Sequence, residues 1–432
     1  MSSSAERPTF HHVRVTIIDG AGCGEAINRR PQYPIDIGVN SISNASHVEP
    51  IQAPGLESIG LAHVPGLETL QTKTAGEVSV IGASGSLTPT FAGNGSPEGH
   101  QALMGHIVEM PYLLFDKTGF PPEIVQLVEQ TVAIATGRQV EAVRYPGTDD
   151  VNGIKFINYP GIGDRHLAGK KENGPLVVPI YASSDSLIQI ALHLDVVPQE
   201  MIEKIGKAVR EEVDRQGFRI GRIIMRPFIG GPDPGSFTRD SEGRRDYGVD
   251  PDGPTLIDHL ADADIPIYGI GKAATMLNYH GFNKDNVSKR KDDQERMKAI
   301  KAATKNHGIA TVSFGFDNLV GTDELYGHTR LPIEYSKHIA MLDAWIIRIM
   351  AAMTDEDLWI LTADHGNDPT QTKHYNHTNE MTPVLVYSPR IKHPVNLGVR
   401  DSFADVAKTV AENFGIADKI RNGVSFFRDL LD

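Results

Sequence analysis

The chain has 432 residues, of which 40% are hydrophobic and 22% charged, ordinary values for a globular protein with room for two or three domains. Its 42 basic and 55 acidic residues leave a formal net charge of −13 with no basic run, which argues against a nucleic-acid partner. A single cysteine, Cys23, excludes an intrachain disulfide and fits the cytoplasm. The opening MSSSAERPTFHHV lacks the apolar run of a signal peptide, and no stretch approaches the roughly 20 apolar residues of a membrane span, so no membrane association is expected.

In chain order, VRVTIID (13–19) is a β-branched run ending in an acid, the pattern of a buried parallel strand, followed by the loop GAGCG. GAGCG does not fit the dinucleotide pattern G-x-G-x-x-G. Residues 34–110 are rich in Gly, Ser, Pro and Asn and read as loops and short turns. PPEIVQLVEQTVAIATG then reads as a helix with Pro at its start and Gly after its end. GPLVVPIYASSD is an expected strand, SLIQIALHL a helix, VPQEMIEKIGKAVREEVDRQG an amphipathic helix and RIGRIIMRPFIGG another strand. After PDGPT (251–255) strands and helices alternate: TLIDHLADA, IPIYGIG, QERMKAIKAAT, GIATVSFGFDNLV, YSKHIAMLDAWIIRIMAAM, LWILTAD, PVLVYSP and DSFADVAKTVAENFG. That rhythm predicts an α/β fold with a mostly parallel sheet between helices. Residues 112–252 read as an inserted α+β cap domain, interrupting a core made of 1–111 and 253–432.

The acids and histidines beyond the predicted strands form one set. Asp19 follows the first strand, Asp323 follows the strand at 309–320 with His328 five positions on, Asp364 and His365 follow LWILTA, and His377 precedes PVLVYSP. A charge at the end of a core strand is costly unless paired or bound to metal. Three carboxylates and three imidazoles at one sheet edge suit two divalent cations, the arrangement that serves phosphoryl chemistry.

These residues resemble a known family. YASSDSLIQIA, IIMRPFIGG, FTRDSEGRRDYGVDPDGPT, IYGIGKAATM, NLVGTDELYGHTR with its DELYGH, and DHGNDPT with HT downstream, in this order, resemble the phosphopentomutases of the alkaline phosphatase superfamily along most of the chain. The resemblance implies an alkaline-phosphatase-like core and an isomerase that moves phosphate between C1 and C5 of ribose or 2-deoxyribose. It implies Asp19, Asp364 and His365 around one ion and Asp323, His328 and His377 around the other, with manganese as the metal and a sugar bisphosphate as activator. The family's phosphate-carrying threonine lies in K-D-T-x-x-G-H-x-E; NGSPEGHQA puts Ser96 there, the residue implied to become a phosphoserine.

The sequence departs from the family pattern in several places. Ser96 stands for threonine, Asn94-Gly95 for Lys-Asp, Ala102 for Glu, Asn379 for the Arg after His-Thr, and Gly321 for an Asp. Alternative readings are therefore a mutase for another sugar phosphate and a metal-dependent phosphatase. A metal-binding interaction protein would leave the nucleophile without a purpose. The resemblance implies a small-molecule sugar phosphate as the partner. For its distal phosphate, Arg226, Arg239, Arg244 and Lys272 are the candidates, since guanidinium forks match phosphate oxygens. Asp185 and Ser183 are candidates either for sugar hydroxyls or for capping the helix expected over SLIQIALHL.

Overall fold

The computed structural model describes residues 9–26, 36–74, 78–115, 119–144, 157–158, 161–170, 175–182, 186–231, 235–306 and 310–431. The chain divides into two compact units, Met1–Pro111 with Pro251–Asp432, and Tyr112–Asp250.

The first unit is built on an eight-stranded sheet. From one edge to the other its strands are Val287–Ser288, Ile267–Ile270, Ser313–Leu319, His12–Ile18, Asp357–Thr362, Thr382–Tyr387, Ala83–Leu87 and Val395–Arg400. The first five run parallel, Thr382–Tyr387 is antiparallel to both its neighbours, and Val395–Arg400 is parallel to Ala83–Leu87. His12–Ile18 is central, in register with Ser313–Leu319 from His12↔Ser313 to Ile18↔Leu319. Its side chains alternate between two cores, as strand geometry requires. Val13, Val15 and Ile17 pack with Leu256, Phe403 and Val406, while Ile18 joins Trp359, Tyr335 and Leu342 in the other cluster. Each such buried side chain contributes about 1.5–3 kcal/mol. The parallel strands direct their carboxyl ends, and the residues that follow them, to one edge of the sheet.

The second unit carries a six-stranded mixed sheet in which Val140–Arg144, Leu176–Tyr181, Leu187–His193, Arg222–Ile229 and Thr238–Arg239 are neighbours in that order, with Arg245–Gly248 also paired to Arg222–Ile229. The helices Pro122–Thr136 and Gln199–Arg215 bury Ile124, Val128, Ile202 and Val209 against it.

Two expectations from the sequence need correction. SLIQIALHL is not a helix: Leu187–His193 is a strand whose seven residues are all buried. A short apolar run that is buried all round has no period to read, and its parallel pairing with Arg222–Ile229 decides it. Nor is 34–110 all loop. It contains the helices Ser41–Val48, Pro54–Ile59 and Ser96–Leu103 and the strand Ala83–Leu87. The polar helix at Ser41 starts where the Asn40 side chain accepts a hydrogen bond from Ser43 N at 3.0 Å. ASGSL is wholly buried between two neighbours, so small residues fill a place that hydrophobicity alone would not mark.

Candidate metal centre

Asp19 follows Ile18 directly, and its backbone N–H donates to Leu319 O at 2.9 Å, so strand pairing continues through it. Asn318, on the adjacent strand, donates its Nδ2 hydrogen to Asp19 Oδ1. Asp364 and His365 come two and three residues after the strand Asp357–Thr362, and both are buried. Past them the chain loops and returns: Thr378 N donates to Gly366 O at 2.8 Å, an isolated antiparallel bridge. This return lays the His377 ring on His365, with centroids 3.6 Å apart and planes 13° from parallel.

Asp323 and His328 owe their meeting to local geometry. The strand expected over 309–320 ends at Leu319, and Gly321–Gly327 is a single stretch of π-helix. His328 N donates to Asp323 O at 3.0 Å, an i→i+5 bond that places the two side chains on one face. His328 Nδ1 donates to Tyr375 O at 2.8 Å and His377 Nδ1 to Asn94 O at 2.7 Å. Each carbonyl holds the proton on Nδ1 and turns Nε2 inward, the tautomer of a metal-binding imidazole. The two Nε2 atoms then stand 3.1 Å apart, with Asp323 Oδ2 3.5 Å from one and Oδ1 3.6 Å from the other. Two inward lone pairs and a carboxylate repel one another unless a cation lies among them, so this donor set fits a divalent metal.

A second group converges beside it. Donor atoms of Asp19, His100 and Asp364 lie within 4.8 Å of one another, and all three residues are buried. Asp364 Oδ2 is buried without a hydrogen bond, with His365 Nε2 at 3.2 Å and His100 Nδ1 at 3.4 Å. Burial, Asp364 and Asp323 together push the Asp19 carboxyl well above its ordinary range. Burial would do the same to Asp364 and Asp323, yet neighbouring imidazoles hold both well below it. Burial opposes the charge on His365, but Asp364, Asp323 and Asp19 push its pKa up to about 10. Three carboxylates buried beside one another repel, and a cation among them would relieve that repulsion.

Ser96 is the first residue of the helix Ser96–Leu103, and its Oγ lies 3.0 Å from His365 Nε2. Pro97 suits the first turn of a helix, which makes this start legible in retrospect. Gly99 is obligatory: a Cβ there would lie 2.1 Å from Asp364 O. His100, one turn on, places Nδ1 2.9 Å from Ser96 O. Sequence reasoning used His100 only as a flank of Ser96, although i,i+4 spacing on a helix would have placed it beside that residue. The buried Glu380 was also missed. Its carboxylate accepts from Ser41 N at 2.8 Å and Gly24 N at 3.3 Å, and from the hydroxyls of Ser41 and Thr378 at 2.7 and 2.5 Å, bracing the loops that follow the strands His12–Ile18 and Asp357–Thr362.

The phosphate-binding candidates divide between the units. In the second, Arg226 donates its Nε hydrogen to Gln189 Oε1 at 2.7 Å. Burial, followed by the charges of Arg244 and Arg239, pushes the Arg226 pKa down to about 10. Arg244 is held as a fork on Asp246, both bonds 2.8 Å, and Arg239 is exposed. Three guanidinium groups near one carboxylate leave an excess of positive charge suited to an anion. Lys272, in the first unit, pairs with Glu324 beside Asp323. Asp185 and Ser183 lie outside the described residues.

Comparison with known proteins agrees with this chemistry. Residues 270–418 match the model of the metalloenzyme superfamily. The chain is 35% identical over 424 residues to the phosphopentomutase of Caldanaerobacter subterraneus subsp. tengcongensis, covering 98% of each. It is 32% identical over 418 residues to the phosphopentomutase of Thermotoga maritima, covering 96% of this chain and 98% of the relative. Alkaline phosphatase from the Antarctic bacterium TAB5 is a distant structural likeness, with a TM-score of 0.36 and 12% identity across 95% of this chain and 99% of that one.

Proposed function

The chain belongs to the phosphopentomutase family, and from that premise we propose that it moves phosphate between C1 and C5 of ribose or 2-deoxyribose through a phosphoserine at Ser96. It is an intramolecular phosphotransferase, an isomerase of the metalloenzyme superfamily. The observation that carries the proposal is the position of Ser96 Oγ, 3.0 Å from His365 Nε2 at the edge of both donor groups.

In this reading Asp19, Asp364 and His365 hold one divalent cation and Asp323, His328 and His377 the other, with manganese as the metal. Such a pair, when bound, lowers the pKa of an adjacent hydroxyl and neutralises phosphate oxygens. The protein's own residues supply position. Ser96 presents its hydroxyl from the first position of the helix Ser96–Leu103. Phosphorylated Ser96 gives its phosphoryl group to the free hydroxyl of the bound sugar monophosphate: the Oγ–P bond breaks, a sugar O–P bond forms, and the hydroxyl proton ends on the serine. The resulting bisphosphate turns over and returns its other phosphoryl group to Ser96, so phosphate migrates without consuming water. A sugar bisphosphate is accordingly the activator that first loads the serine.

Arg226, Arg239 and Arg244 grip the distal phosphate in this scheme, with Lys272, Asp185 and Ser183 as the further candidates for holding the sugar phosphate. The segment 112–252 serves as the lid that keeps the phosphoenzyme from water. No helix among the described residues is long and apolar enough to cross a membrane. A cytoplasmic setting fits the single cysteine, and the net charge of −13 is unsuited to nucleic acid.

Phosphorus NMR tests the proposal. Manganese-loaded protein is incubated with ribose 5-phosphate and a trace of sugar bisphosphate, then chelated before the spectrum is taken. Ribose 1-phosphate should appear beside the starting ester; inorganic phosphate as the sole product would make the protein a phosphatase instead.

A further inference from the structure

Arg330 has backbone φ of +57°, left-handed and disfavoured for any residue with a Cβ. Its surroundings must hold it there, and the guanidinium shows how. Nη1 donates to Gly327 O at 2.6 Å, Asn367 Oδ1 at 2.5 Å and Asp368 O at 3.2 Å. Nη2 donates to His374 O at 2.7 Å and Asn376 O at 3.1 Å. One side chain therefore joins the π-helical turn that carries Asp323 and His328 to the loop that carries His377.

Both links lead to the donor atoms. Because Arg330 occupies Asn367 Oδ1, the Asn367 amide must present Nδ2, which donates to Asp323 Oδ1 at 2.7 Å. Gly327 allows this approach, since a Cβ there would meet Asn367 Cγ at 2.8 Å. On the loop, the carbonyls of residues 374 and 376 accept from Arg330, and the one between them, of Tyr375, accepts from His328 Nδ1 at 2.8 Å. The Tyr375 ring also lies 5.5 Å from the guanidinium. Burial pushes the Arg330 pKa below its ordinary value, opposed by the charges of Asp368, Asp323 and Asp36.

We infer that Arg330 is a positioning residue for the Asp323–His328–His377 group: its planar fork sets the Asn367 amide against Asp323 and the Tyr375 carbonyl against His328. The inference rests on reading that group as one of two metal sites. The charge of Arg330 alone does not suffice, because only a fork reaches both chain segments at once.

The test is manganese titration of metal-free protein by calorimetry, for wild type, Arg330→Gln, Arg330→Lys and Asn367→Ala. Wild type should bind two ions; fewer would refute the metal reading itself rather than the role of Arg330. Arg330→Gln and Arg330→Lys should each weaken one site by about 10–100-fold and leave the other within about twofold, the usual scale for losing a group that orients ligands. Asn367→Ala should weaken the same site and serves as the readout if the arginine variants fail to fold. Equal weakening of both sites would mean a general structural role and would overturn the inference. So would wild-type affinity in Arg330→Lys, or in Asn367→Ala.

Discussion

Gly99→Ala adds one methyl group at a point where the candidate site has no slack. The new Cβ would lie 2.1 Å from Asp364 O, 2.8 Å from its carbonyl carbon and 3.0 Å from its Cα. All three are backbone atoms, so no rotamer change relieves the clash. Restoring an ordinary separation of about 3.5 Å requires the helix Ser96–Leu103 and the Asp364 turn to part by roughly 1.4 Å. Overpacking of this kind costs about 1–3 kcal/mol, offset in part by the roughly 1 kcal/mol that Ala gains over Gly in a helix. The net loss of stability should be small. Activity should suffer far more, because the parting separates Ser96 Oγ from His365 Nε2, now 3.0 Å away, and an error of about 1 Å between reacting groups costs on the order of 10²-fold. Initial rates of ribose 5-phosphate isomerisation, with a thermal melt of the same preparation, separate the two effects. kcat should fall by about two orders of magnitude with Tm lowered by only a few degrees and KM little changed. A folded Gly99→Ala protein with kcat within twofold of wild type would refute the claim that this close approach positions Ser96.

The other predictions probe separate parts of the scheme. Brief exposure to a sugar bisphosphate should add one phosphate mass to the peptide containing GNGSPEGH; Ser96→Ala should lose both label and isomerisation, while Ser96→Thr keeps measurable activity. Wild-type turnover in Ser96→Ala would rule out the covalent route. Arg226→Ala should lower kcat/KM for the sugar phosphate by about 1–3 kcal/mol and spare hydrolysis of a small activated ester, and equal losses on both would point to a structural arginine. Burial and then Asp368 push the Glu380 pKa up to about 7, against hydrogen bonds from Ser41 and Thr378. The unfolded chain releases that proton near pH ~4.3, so between these pH values the folded state binds more protons. The stability this proton confers is complete below the unfolded pKa and is lost as pH rises through the folded one, at up to about 1.4 kcal/mol per pH unit. Melts of metal-free protein from about pH 5 to pH 7.5, a range that lies above the unfolded pKa and passes through the folded one, should show a downward slope that Glu380→Gln flattens; parallel curves for the two proteins would contradict this.

Much of the core could be read from local pattern. Runs such as VRVTII and LWILT declare themselves as buried strands, and Asp19, Asp364 and His365 stand just beyond them because parallel strands send their ends to one edge. Asp323 and His328 were likewise visible as a pair, although the π-helical turn that makes five-residue spacing productive was not. Where the pattern was weak, the reading failed. LIQIALH is buried throughout, Gln189 and His193 included, and became a strand only by pairing with Arg222–Ile229, and the small residues of ASGSL gave no hydrophobic signal.

What the sequence by itself determined is the set of chemical types and their order: carboxylates and imidazoles after strands, a hydroxyl ahead of Gly-His, arginines in a separate segment. Those features are encoded by neighbours a few residues apart. Which atoms meet was decided only by the tertiary structure. His377 reaches His328, 49 positions away, because the chain returns to bridge Gly366 and Thr378. His100 joins Asp19 and Asp364, 264 positions from the latter, because Gly99 lets its helix touch the Asp364 backbone. Arg330 and Glu380 act through hydrogen bonds to segments far away in sequence. Such contacts depend on how distant elements pack, and no periodicity within one element can carry that information.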